Sequence, residues 1–111
     1  MKLYNFNVFL DAKDYVGQIK EYEIEKETEK LYILKVNKIS RGARITKNEL
    51  MKPVSGIYKD CVLDMIYYEI WFLENDKKEA INLVKQKIAN ELDRREKIIN
   101  QMVINYLIIE E

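Results

Sequence analysis

Residues 61–73 place the tightest constraint on how this chain can fold. Val62, Ile66, Tyr68, Ile70 and Phe72 share one parity, and Leu63, Met65, Tyr67, Trp71 and Leu73 share the other. Successive side chains of a strand point to opposite faces, so this stretch reads as a strand that is apolar on both sides. A strand with one face in water alternates apolar with polar residues; one that does not alternate needs cover on both faces. A single layer of helix covers one face. The second must be covered by a returning segment of the chain or by another subunit.

A helix is at hand for the first face. Asp76-Lys-Lys-Glu79 matches a capping box, and residues 76–100 carry a stripe of Ile81, Val84, Ile88, Leu92 and Ile99, interrupted by Arg95. Glu91 with Arg95 and Asp93 with Lys97 are acid-first pairs one turn apart. The tail, 102–109, fits two forms. Met102, Tyr106 and Ile109 extend the helical stripe, while the β-branched content suits a strand. Helical to Leu107, the segment would run about 32 residues, or roughly 48 Å. A compact domain of this length is only roughly 34 Å across. Either form favours pairing with another chain, by coiled helices or an exchanged strand, and predicts a homodimer or higher homo-oligomer. A monomer whose tail folds back is the alternative.

Upstream the chain is β-rich. Tyr4, Phe6, Val8 and Leu10 fall on one face of a strand over 3–10, with Asn5 and Asn7 opposite. Asp11 to Asp14 reads as a turn. A second strand covers 15–25, with Tyr22 and Ile24 on one face and Glu21, Glu23 and Glu25 on the other. Residues 31–36 are β-branched and aromatic and form a hairpin with it. No Gly or Asn specifies that turn, so its register is open. Residues 37–60 lose apolar periodicity and hold Gly42, Pro53 and Gly56. Thr46-Lys-Asn-Glu49 is a capping box and predicts a short helix near 47–51 inside a long connection. The expectation is a single α+β domain over 1–111: an antiparallel β-sheet of about four strands over 1–73, followed by a long C-terminal helix with an apolar tail.

The residue inventory excludes much chemistry. The chain has no histidine and one cysteine, Cys61. It therefore lacks the side chain best suited to proton transfer near neutral pH and cannot assemble a structural zinc site. Ser40 and Ser55 have no histidine base. Cys61, beside Val62 and Leu63, reads as a small buried hydrophobe. We expect no enzyme activity, no catalytic residue, no metal site and no cofactor. Met1-Lys2 leads straight into the first strand, without the apolar run of a signal peptide. Met65 to Leu73 contains Glu69 and is too short to span a bilayer. The expectation is a cytoplasmic protein with no membrane partner.

Net charge is zero, but it is unevenly spread. Residues 35–59 hold seven basic groups (Lys35, Lys38, Arg41, Arg44, Lys47, Lys52, Lys59) against Glu49 alone, a segment of +6. Residues 1–34 stand at −2 and 60–111 at −4. Arg41-Gly-Ala-Arg44 before the Thr46 cap has a logic for anions. A helix start offers N–H groups, glycine allows close approach, and arginine presents a planar fork to phosphate or carboxylate. The candidate ligand-binding residues are Arg41, Arg44, Thr46 and Lys47, with Tyr58 and Tyr68 as stacking surfaces beside Tyr67 and Trp71. The plainer reading is a solvated basic loop and core aromatics. No phosphate-binding glycine motif is present.

The hairpin text Glu-Tyr-Glu-Ile-Glu-Lys-Glu-Thr at 21–28, the connection Arg-Ile-Thr-Lys-Asn-Glu-Leu at 44–50 and Trp-Phe-Leu-Glu-Asn-Asp-Lys-Lys-Glu-Ala at 71–80 resemble small accessory proteins of phages and prophages of low-GC Gram-positive bacteria. The resemblance lies in texture over most of the chain and carries over no functional residue. It implies a context, the host-cell cytoplasm, and a role in countering host defence. One form is a sponge that sequesters a nucleotide-type immune signal, a small anionic ligand. The alternative is an anti-CRISPR-like inhibitor that binds a host defence protein. A structural or virion-assembly protein is the third.

Overall fold

The computed structural model describes residues 1–10, 15–36, 42–59, 64–92 and 103–108. Its strands are β1 (Lys2–Leu10), β2 (Tyr15–Glu27), β3 (Leu31–Leu34), β4 (Arg44–Thr46), β5 (Val54–Lys59), β6 (Asp64–Leu73) and β7 (Val103–Ile108), with helix α1 (Lys77–Leu92) between the last two. The fold is α+β. The sheet runs β4-β3-β2-β1-β6-β5 with antiparallel neighbours, and β7 lies parallel against β2.

The expected strands over 3–10, 15–25, 31–36 and 61–73 correspond to β1, β2, β3 and β6, but among the described residues the sheet has seven strands, not about four. β4 is too short to show a period, and Ser55 and Gly56 break the apolar pattern of β5. Pairing with longer neighbours supplies what their local sequences lack. The long connection is accordingly two strands around a 3₁₀ turn, Lys47–Glu49, in place of a helix over 47–51. Met51, at φ 61°, reverses the chain and donates its N–H to the Trp71 carbonyl at 2.9 Å. The hairpin turn is set by Thr28, whose N–H reaches the Leu31 carbonyl at 2.8 Å and whose hydroxyl accepts the Leu31 N–H at 3.0 Å.

The first face of the sheet carries the main core. Tyr4, Phe6, Val8, Ile19, Tyr68, Ile70 and Phe72 meet Ala80, Val84 and Ile88 from α1. Those three recur every four residues, so one stripe of the helix is fully inside. Burying Val84 and Ile88 contributes about 1.5–3 kcal/mol each. The predicted helix over 76–100 is described from Lys77 to Leu92, with a 3₁₀ turn at Glu74–Asp76 leading into it; its part over 93–100 lies outside the described residues. Arg95, Lys97 and Ile99 lie outside the described residues, as do Cys61, Val62 and Leu63.

The tail is a strand, so no single helix reaches Leu107. β7 pairs in register from Val16↔Val103 to Glu21↔Ile108 of the same chain. β6 and β7 are parallel, and α1 is the crossover between them. The argument for a homodimer from an overhanging helix therefore falls.

β6 is covered on both faces, as its pattern requires. On the second face a smaller core joins Leu3, Tyr22, Tyr32, Leu34 and Ile45, with Ile24, Leu50, Trp71 and Leu73 packed against it. The cover here is a returning segment, the β3–β4 hairpin. β2 makes this possible. Val16–Glu21 takes β7 on its edge and Ile24–Glu27 takes β3, with a register shift between Ile24 and Lys26. Such a shift bends the strand and curls the sheet. The hairpin covers only one end of the face; Phe9, Gln18, Lys20, Tyr67 and Glu69 stay half-exposed.

Candidate functional site

The predicted anion site is not assembled as the sequence suggested. Arg44 opens β4 opposite Ile33 and is exposed. Ile45 points into the second core, so Arg44 and Thr46 point the other way. Glu49 already occupies the cap: its Oε1 accepts the Thr46 N–H at 3.1 Å and the Thr46 hydroxyl at 2.9 Å. Lys47 places its ammonium 2.6 Å from Glu27 and 5.1 Å from the Tyr32 ring centroid. The Glu27 hydrogen bond raises the Lys47 pKa. Lys35 lies 3.6 Å from Glu23. Counting charge along the chain hid the fact that β3 and β4 fold beside the acidic β2, which neutralises part of the +6 segment.

The stacking surfaces also need correction. Tyr68 is fully buried and faces α1 within the main core, so it offers no surface to a ligand. The Tyr58 side chain and Arg41 lie outside the described residues. Tyr67 and Trp71, on the opposite face of β6, are the half-exposed aromatics.

That second face holds a feature the sequence reading missed. Asn5 and Asn7, which alternation had set opposite the apolar residues of β1, are 3% and 6% exposed. The Asn7 amide nitrogen donates to Asn5 Oδ1 at 2.8 Å, and the Asn5 amide nitrogen donates to Glu69 Oε2 at 3.4 Å. Donation runs one way, from β1 to a carboxylate on β6, and this fixes both amide orientations. Among the described residues Asn7 Oδ1 is left buried with no partner. An orphaned buried acceptor costs about 1–3 kcal/mol. Aromatic pairs flank the string: Phe9 and Tyr67 at 6.4 Å, and Tyr22 and Trp71 at 5.6 Å. Two-sided β6 next to a strand with asparagines on the shared face was the signal available in the sequence.

A second polar cluster ties the tail down on the first face. Glu21, 9% exposed, accepts from the Tyr106 hydroxyl at 2.9 Å and from the Lys2 ammonium at 3.1 Å. Burial alone would raise the Glu21 pKa; the Tyr106 and Lys2 hydrogen bonds outweigh it and lower the value. Burial and the Glu21 carboxylate raise that of Tyr106. A cavity of about 50 Å³ opens beside it among Tyr4, Phe72, Glu74, Lys77 and Tyr106. Ligand pockets run to roughly 300 Å³ or more; this one fits a few waters, not a nucleotide. Among the described residues no group of three or more carboxylates, cysteines or histidines is placed to hold a metal ion. No helix of the described residues is long and apolar enough to cross a membrane. Comparison with known protein families, with curated proteins and with solved structures found no match to this chain.

Proposed function

We propose that this chain is a non-enzymatic inhibitor of the phage counter-defence kind, and that it acts by docking the half-exposed second face of its sheet on a protein partner. The observation that carries this reading is the Asn7–Asn5–Glu69 string, which ends on a half-exposed carboxylate and is set between two aromatic pairs. Tyrosine and tryptophan held in a partly desolvated patch are residue types in which interface hot spots are enriched. Because the string ends on the half-exposed Glu69 carboxylate, an acceptor, the partner it suits presents hydrogen-bond donors, such as arginine side chains or backbone N–H groups.

The test is affinity capture from cells carrying defence systems, with wild-type protein beside Glu69→Lys and Tyr67→Ala. Both residues are half-exposed, so the fold should survive. A defence effector retained by wild type and lost by both variants supports the reading; equal capture by all three sinks it. The paired variant Asn5→Val/Asn7→Val separates binding from stability. Removing both amides also removes the orphan acceptor, so the urea midpoint is expected to hold or rise while capture is lost. A drop of more than about 2 kcal/mol would make the string a purely structural device.

A nucleotide-type immune signal is the second reading. It is favoured by the exposure of Arg44 two residues before Thr46. Calorimetric titration with cyclic and ADP-ribose-type nucleotides tests it, with Arg44→Glu as control. Silence across the panel removes it.

A further inference from the structure

We infer that Glu69, with Tyr67 and Trp71 on either side of it along β6, is a receptor for one arginine side chain of the partner protein. This rests on the reading that the second face docks on a protein, and it names the group that enters there.

The three residues lie two apart on one strand, so their side chains stand in a row on the same face. All three are half-exposed. Among the described residues no lysine or arginine lies within ion-pair distance of Glu69. Lys20, on the same face, is in register with Asn5, whereas Glu69 is in register with Asn7 on the other side of β1. Their backbones therefore stand two strands and two residues apart, about 12 Å. Glu69 is thus a partly desolvated charge that its own chain leaves unmatched, and a docking cation complements it.

The carboxylate is held in place before any ligand arrives. Asn7 donates to Asn5, and Asn5, 3% exposed, donates to Glu69 Oε2. That contact takes one of the roughly four lone-pair positions of a carboxylate. The others stay open to a fork of two N–H donors. A group fixed in advance loses less freedom on binding.

The rings select guanidinium over ammonium. Gly56 pairs with Tyr67 across β5 and β6. A Cβ at Gly56 would stand 2.7 Å from the Tyr67 hydroxyl oxygen and 2.8 Å from Cζ. The glycine thus vacates the space in which the Tyr67 ring lies down over β5, with its other face turned outward. On the far side of Glu69, Trp71 is braced by Tyr22 at 5.6 Å. Arginine is planar and weakly hydrated, and it stacks on such faces while its fork meets a carboxylate. Lysine is a compact, strongly hydrated point charge.

The test is titration of the whole chain with the capped tripeptide acetyl-Ser-Arg-Ser-amide, followed by the amide chemical shifts of residues 67–71 and the Trp71 indole signal. Saturable movement of these signals is expected, with no response to the isosteric citrulline peptide and a weaker one to the lysine peptide. Glu69→Gln keeps an acceptor for Asn5 but removes the charge; it should abolish the response with circular dichroism unchanged. Gly56→Ala should displace the Tyr67 ring and weaken binding about two- to fivefold, the worth of one exposed cation–π contact. The absence of a saturable arginine response overturns the inference. So does an equal response to lysine, or a response that survives Glu69→Gln. Each of these leaves the docking reading to the capture experiment. Saturable arginine binding with no effector captured supports this site and sinks the docking reading.

Discussion

Phe72→Ala is expected to lower folding stability by about 3–5 kcal/mol, the usual cost of deleting a buried ring. Phe72 is fully buried on the first face and lies opposite Tyr4 in the β1–β6 register. The two rings stack at 5.4 Å with planes 15° apart. Truncation loses that stack and leaves a void between the sheet and the start of α1, where Ala80 has no side chain able to fill it. A domain of this size has only about 5–15 kcal/mol in total. Urea unfolding followed by Trp71 fluorescence should show the midpoint moving sharply downward, with part of the population unfolded in buffer. Ile57→Ala, on the exposed edge, should stay within about 0.5 kcal/mol of wild type. Equal midpoints for the two variants would place Phe72 outside the core.

Glu21 is expected to govern the acid limb of stability. Its folded pKa is lowered, so its contribution is fully present above the unfolded value of about 4.3 and is lost as pH falls through the folded value. Tyr106 has the opposite sign. Its raised pKa makes its contribution full below about pH 10 and lost at higher pH. The Glu21–Tyr106 bond thus weakens at both extremes, and β7 should loosen before the rest of the sheet. Glu21→Ala is expected to cost about 1–2 kcal/mol at neutral pH, discounted because Lys2 and Tyr106 also meet water. The measurement is amide hydrogen exchange of residues 103–108 against pH. Wild type should lose protection there on the acid side of the unfolded carboxylate value while β1 stays protected, and Glu21→Gln should flatten that dependence. Equal loss in β1 and β7 would mean that Glu21 does not act locally.

The strands that sequence reading finds are those whose periodicity is local. β1 alternates, β2 alternates with glutamates, and β6 is apolar at both parities, so each declares its faces before any partner is known. β4 and β5 do not, because their strand character comes from Leu31–Ile33 and from β6 beside them. The tail carried both periods at once, and pairing with Val16–Glu21 resolved it as strand. The candidate site divides the same way. The Thr46–Glu49 contact was legible because its residues are three apart. Its consequence was not, since the glutamate that completes the cap also takes the place an anion would use. The ion pairs of Lys35 and Lys47 span 12 and 20 positions and have no local signature. Asn5 and Asn7 were correctly assigned to a face, but alternation alone does not tell that this face is closed over them. Only the curl of β2 reveals that this face is partly closed.

The place of β7 has a consequence for how the chain is made. Residues 16–21 of β2 are synthesised more than eighty residues before 103–108, which complete their edge. Until the last strand arrives, a row of unsatisfied backbone groups stands open beside finished β1. Non-local parallel pairing of this kind is slow to form. In that interval the vacant edge is open to mispairing with any exposed strand, a hazard that closure by 103–108 removes. Temperature during synthesis therefore bears on the yield of closed fold through the rate of this last pairing, and not only through the stability of the finished fold.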